Sequence, residues 1–354
     1  MRWSDAWRRS LLISTALCLV LGLAIACGSS RSAGNSSGAA VAATPEPVKL
    51  RLHLPSRSTS YLPWYLAIDR GYFQEQNLDV EIVQAAGSAG LAALLAGEVQ
   101  FSGTLSAGIP AMAQGADLKV LFVQSPRANY WLTTRTDINN LHDLKGKRIV
   151  VPNLGLSDAY TRLLTAALRK AGMDPTSDVI FIAGGSAGGG GSDVLVGALV
   201  AGAADAMVGN VLQRLAAEEQ GFHTIYSFGD DSADLQGGVL TTANMLQTQP
   251  DVVRRFLTAA VKGMRVMAQD PGTSLDVLLK YVDLDRAQAA KGLNYIRPLM
   301  SKDGLLTPDE QRAGLDTLKE AVPEIANLEP GQVFAFRPLQ QAIQTVDASG
   351  WQPK

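Results

Sequence analysis

The sequence predicts an α/β protein made of two lobes built on one plan. Three observations carry this expectation. Strand and helix signals alternate from Val48 onward, a strand–turn–helix–strand pattern occurs twice, and about 300 residues follow the apolar leader, enough for two cores.

Val48–Leu54 alternates polar and apolar residues, the period of a half-buried strand. The loop 55–61 leads into a helical pattern over 63–70, closed by Gly71. Residues 79–83 read as the next strand, followed by Gly87-Ser88-Ala89-Gly90 and a helix over 91–96. Leu94-Leu95-Ala96-Gly97 then precedes a strand over 98–102. The later copy has a strand at 179–183, Gly185-Ser186-Ala187-Gly188, a helix, and Leu199-Val200-Ala201-Gly202 before a strand at 203–208. Between its tetrapeptide and its helix stand extra residues, 189–192. A shared tetrapeptide is weak alone, but the same context on both sides implies two lobes of one design.

Residues 131–135 read as a strand leaving the first lobe, and 138–151 open the second. The return is expected between Phe228 and Val239, among Asp230, Asp231 and Asp234. Beyond Pro250 the chain reads as consecutive helices packing back on the first lobe. One of them opens with Thr307-Pro308-Asp309-Glu310, a capping box with proline at the first helical position. The first lobe is therefore expected to comprise 48–133 plus 235–354, and the second 134–234, joined by a two-segment hinge.

The leader fixes the expected compartment. Arg2, Arg8 and Arg9 precede an apolar run over 11–26, short for a membrane span, which ends in Leu23-Ala24-Ile25-Ala26-Cys27. This pattern resembles a bacterial lipobox, so 1–26 read as a lipoprotein signal peptide and Cys27 as the lipid attachment site, with Ala24 where leucine is commoner. Residues 27–47 are mostly Gly, Ser, Ala and Pro and read as a flexible tether, reaching about 25 Å at roughly 5–6 Å × √n. The other cysteine, Cys18, lies within the leader, so the processed chain has no disulfide and no thiolate site. The formal charge is −2, and the leader's three Arg and one Asp leave about −4 on the remainder. No Lys/Arg stripe marks a nucleic-acid partner. The membrane is expected to be touched through the lipid alone.

Four stretches carry a family resemblance. They are Leu62-Pro63-Trp64-Tyr65-Leu66-Ala67-Ile68-Asp69-Arg70-Gly71-Tyr72-Phe73 with Asn77-Leu78-Asp79-Val80; residues 87–97; Asp143-Leu144-Lys145-Gly146-Lys147; and residues 202–206. In this order and spacing the chain resembles the nitrate/sulfonate/taurine-type (SsuA-like) solute-binding proteins, a group that also contains thiamine-pyrimidine binders. The resemblance runs from Val48 into the helices after Pro250. It implies a type II periplasmic-binding-protein fold, two Rossmann-like lobes that close on a ligand. It also implies a substrate-binding role in an ABC importer: a monomer without cofactor that hands a small molecule to transmembrane permease subunits. The glycine run 188–191 departs from the tighter turn of the family.

In open α/β sheets, ligands bind beyond the carboxyl ends of the strands, where helix N-termini offer free N–H groups. Gly87 and Ser88 with Ser106 would supply such turns from the first lobe, and Ser157 and Ser192 from the second. Each serine serves equally as a plain helix cap. Tyr61 and Trp64 are expected as aromatic walls, with core packing the competing role for Trp64. Asn153 and Tyr160 flank the first turn of a second-lobe helix, and Asn210 follows a strand. Arg57 or Arg127 would suit a sulfonate or carboxylate if either faced the cleft. Ligand charge stays open: a small organic anion and a small aromatic or pyrimidine both fit.

No dinucleotide or P-loop register can be laid on 184–193. His53, His142 and His223 show no metal-ligand spacing, and no metal or catalytic group is expected. Two rival readings remain: an extracytoplasmic sensor without an importer, and an enzyme of the pyrimidine-synthase type, which shares the fold but relies on a cysteine-rich segment absent here.

Overall fold

The computed structural model describes residues 46–353 apart from 156–157, 186–191 and 321. The signal peptide, the tether up to Thr44 and Pro45, Cys27 and Ser157 lie outside the described residues. Of Ser192 only its place as first residue of the helix Ser192–Val200 is described.

Among the described residues, ten strands form two five-stranded sheets. The first has the order β2 (Leu78–Gln84), β1 (Val48–Leu54), β3 (Phe101–Ser102), β10 (Ala233–Thr242), β4 (Leu118–Arg127). The second has the order β7 (Ile180–Ala183), β6 (Arg148–Val151), β8 (Ala206–Gly209), β5 (Trp131–Thr134), β9 (His223–Ser227). In each, three strands are parallel and the fourth runs antiparallel to both its neighbours. That antiparallel strand is the one by which the chain enters the sheet: β5 on the way out, β10 on the way back. The two sheets thus share one topology. Their connections are short: residues 128–130 between β4 and β5, and 228–232 between β9 and β10. Residues 131–133, which the sequence reading placed in the first lobe, pair within the second sheet.

Burial explains the strands and one departure from pattern. In β1, Lys49 and Arg51 are exposed while Leu50, Leu52 and Leu54 are buried, but His53 is buried as well. Its Nδ1 lies 2.8 Å from Ser102 Oγ and its Nε2 2.9 Å from the Ala85 carbonyl. Nε2 therefore carries the proton and Nδ1 accepts from the serine, which removes the cost of burying the ring. The helix above it is Gly87–Leu95, so Gly-Ser-Ala-Gly forms its first turn rather than a turn before it. The reason is contact: a Cβ on Gly90 would sit 1.9 Å from the His53 ring. Gly90→Ala should cost at least the 1–3 kcal/mol typical of core overpacking, read by urea denaturation. Unchanged stability would mean that the ring is not held there. Gly97, at φ 77°, ends the segment, and the strand expected over 98–102 shortens to Phe101–Ser102.

The C-terminal helices pack on the first sheet around an aromatic cluster. Trp64 has no exposure and lies between Phe122 (5.2 Å, edge-on) and Phe256 (5.6 Å, stacked), with Phe101 3.8 Å from Phe256. The expected capping box forms at Pro308–Lys319: Thr307 Oγ1 accepts from Glu310 N–H at 3.3 Å, and Glu310 accepts from Thr307 N–H at 2.7 Å. A second contact joins the lobes away from the sheets. The helix Val211–Glu219 lies against Arg286–Ile296, with the Arg214 guanidinium 3.3 Å over the Tyr295 ring. Glu218 accepts from Arg214, Tyr295 and Lys291 at 2.7–2.8 Å. No helix among the described residues is long and apolar enough to cross a membrane.

Candidate functional site

The carboxyl ends of the parallel strands and the two crossings converge on one cleft. The loop after β1 turns three alternate serines, Ser56, Ser58 and Ser60, toward it, followed by Tyr61. Ser58 accepts from Ser60 N–H at 3.3 Å and caps the short helical turn Thr59–Tyr61. Ser125 on β4 and Gly237 on β10 form the floor, Asn129 and Tyr130 come from the first crossing, and Tyr160 and Asn210 face them from the second lobe. Together they enclose a cavity of about 180 Å³.

Hydrogen bonds hold this wall in place. Asn129 Nδ2 donates to Ser60 Oγ at 2.8 Å, tying the crossing to the serine loop. Asn210 Oδ1 accepts from Leu212 and Gln213 N–H at 2.9 and 3.2 Å, capping the helix Val211–Glu219, while its side chain also bonds the Tyr160 hydroxyl. The Tyr130 and Tyr160 rings lie 4.2 Å apart, tilted by 41°. This pair divides the cleft, for both rings also line a second cavity of about 350 Å³. There Ser106, Pro110, Leu235 and Ile325 face Asp158 and Arg162, which stand at the start of the helix Ala159–Lys170. Arg162 Nη2 lies 3.3 Å from Asp234 Oδ2, both nearly withdrawn from solvent.

Burial pushes the Tyr160 hydroxyl up to about 12, against the opposing bonds from Asn210 and Tyr130. It also raises Tyr61 and Tyr130 above the ordinary phenol value. All three are neutral phenols at physiological pH. Because the folded value of Tyr160 exceeds the unfolded one near 10, its share of stability is intact below pH 10 and is lost as pH rises through about 12. Tyr160→Phe should make the alkaline decline between pH 10 and 12 shallower in urea titrations; an unaltered slope would mean that this phenol is solvated.

The structure therefore brings Tyr61, Tyr160 and Asn210 together on the first cavity and places Ser106 on the second. Trp64 walls neither: it is a core residue, held by Phe122 and Phe256. Gly87, Ser88 and Asn153 lie on the lining of neither cavity, Ser88 and Asn153 being exposed. Arg57 lines a separate groove with Lys280 and Tyr281, and Arg127 lines none of these pockets. Ser125, Asn129, Tyr130 and Gly237 escaped the sequence reading. A polar–aromatic pair set between two strands at a lobe crossing was the available signal for Asn129 and Tyr130; Gly237 and Ser125 had none.

A family profile described as NMT1/THI5-like matches residues 58–274, more than half of the chain. Among curated proteins, none matches. Solved structures do. The periplasmic sulfonate-binding protein SsuA of Methylobacillus flagellatus KT is 16% identical, with a TM-score of 0.69, covering 88% of this chain and 98% of its own. The periplasmic aliphatic sulphonate-binding protein SsuA of Escherichia coli is 18% identical, with a TM-score of 0.64 and coverage of 84% and 97%. The desulfurization enzyme DszB is 14% identical, with a TM-score of 0.64 and coverage of 84% and 99%. At these identities the likeness is one of fold, that of the periplasmic binding proteins, and it is shared by binders and by an enzyme.

Proposed function

The chain belongs to the NMT1/THI5-like family, and from that premise we propose that it is an extracytoplasmic solute-binding protein that captures a small molecule between its lobes and delivers it to the permease of an ABC importer. The observation that carries this reading is the composition of the first cavity: one set of polar side chains is drawn from both lobes and from the crossing between them. A ligand bonded at once to Ser60 and to Tyr160 gains affinity only when the lobes are together, and such differential affinity is what drives closure. The closed surface then docks on the transmembrane subunits, whose separate ATPase supplies the energy. Among the described residues that line the first cavity there is no cysteine, histidine or carboxylate, which favours capture over turnover. The hinge lies at 128–130 and 228–232.

Cys27 carries the anchor in this reading. Cys27→Ser should shift the protein from the membrane fraction to the soluble extracytoplasmic fraction; retention on the membrane would remove the lipid from the scheme. Capture itself is tested by a thermal-shift screen of the purified protein against small polar solutes. A ligand at 100 times its dissociation constant should add about 2.7 kcal/mol to stability. A folded protein that no solute stabilises would overturn the reading.

A further inference from the structure

We propose that the captured ligand is an uncharged polar molecule, bearing both hydrogen-bond donors and acceptors, rather than a sulfonate or carboxylate. This inference rests on the solute-binding reading and specifies the ligand of that same cavity. The wall consists of the hydroxyls of Ser56, Ser58, Ser60 and Ser125, the amides of Asn129 and Asn210, and three neutral phenols. Hydroxyls and amides offer both donors and acceptors, which suits a ligand that offers both. Among the described residues that line it, none is a Lys, Arg or His. The residues left undescribed near the second lobe, 156–157 and 186–191, contain none in the sequence either.

The nearby cations are committed elsewhere. Arg57 stands between two of these serines but lines a separate groove. Arg162, in the adjoining cavity, is paired with Asp234. Two helix N-termini of the second lobe are already taken by side chains. Asp158 Oδ1 takes Thr161 N–H at 3.1 Å, so a carboxylate already occupies the start of one helix, and the Asn210 side chain caps the other. With Arg162 and Asp234 cancelling, Asp158 leaves the cleft lining with a net negative charge.

Magnitudes decide the matter. Withdrawing an anion from water costs several kcal/mol, which only a cation or a set of committed donors recovers. A neutral polar group forfeits about 1–3 kcal/mol by protein mutational data and regains it from matched hydroxyls and amides. The volume of about 180 Å³ corresponds to roughly six waters at their share of the liquid, so the ligand is small.

The test uses isosteric pairs that differ in charge: benzoate with benzamide, benzenesulfonate with benzenesulfonamide, nicotinate with nicotinamide. Calorimetric titration of the purified protein should find the uncharged member of a pair at least 10-fold tighter, with little change between 50 and 300 mM NaCl. In Ser56→Arg, which sets a cation on the loop wall, the preference should shift toward the anion. A wild-type preference for the anionic member, competing with any neutral binder, would overturn the charge assignment and leave capture standing. Binding of no member, together with a silent thermal-shift screen, would instead remove the capture reading on which the assignment depends.

Discussion

Asp234→Ala should lower the stability of the protein by about 3–5 kcal/mol, the expected cost of removing one partner from a buried ion pair. Asp234 has no exposure on β10, and the Arg162 side chain is 8% exposed on the helix Ala159–Lys170. Deleting the carboxylate removes the ion-pair partner of a buried guanidinium, beside a cavity that the Asp158 carboxylate also lines. The penalty comes from keeping the cation buried after its carboxylate is lost, so the double replacement Arg162→Met with Asp234→Leu should recover most of the loss. Urea unfolding of the three variants separates the two contributions. A single-variant cost below about 1 kcal/mol would mean that water already solvates the pair. The pair also ties a second-lobe helix to the strand by which the chain returns to the first lobe. Asp234→Ala should therefore loosen the lobes, visible as a larger radius of gyration in solution scattering.

What the sequence made legible follows chemical locality. The alternation of Val48–Leu54 and the Thr307/Glu310 box each concern residues within a few positions of one another, and each appears where it was expected. The site is different, because its residues are brought together by the crossings. Tyr61, Tyr160 and Asn210 meet on the first cavity, and each stands near the end of a strand or the start of a helix, where ligands gather in α/β sheets. Trp64 was expected as a wall on residue type alone, and type does not tell which face of a helix meets the core; Phe122 and Phe256, far along the chain, settle that. Ser88 fails for a related reason. With Gly90 seated on His53, the first turn of its helix is oriented by the histidine, and the serine is left in solvent. Gly237 acquires its place only from the register of β10 against β4.

Ser60→Phe should weaken ligand capture by at least 100-fold while leaving the fold intact, and Arg57→Ala, three residues earlier, should leave capture unchanged. Ser60 faces the cavity, so an aromatic ring there enters space that the ligand would occupy, in a volume of only about 180 Å³. The replacement also removes the acceptor of the 2.8 Å bond from Asn129, freeing the first crossing from the serine loop. Losing that neutral bond costs about 0.5–1.5 kcal/mol, roughly a factor of ten in affinity at most, so the remainder of the effect must come from filling the space. Ser60→Ala isolates the smaller contribution, since it breaks the bond without filling the cavity. Arg57 shares the loop but lies on the groove with Lys280 and Tyr281. If its guanidinium reached the ligand, its loss would cost more than the serine bond, because a hydrogen bond to a charged group is worth about 1.5–3 kcal/mol. Calorimetry on the three variants therefore measures which face of the 55–61 loop the ligand meets. An Arg57→Ala loss exceeding that of Ser60→Ala would turn the loop over and reinstate an anion as the ligand.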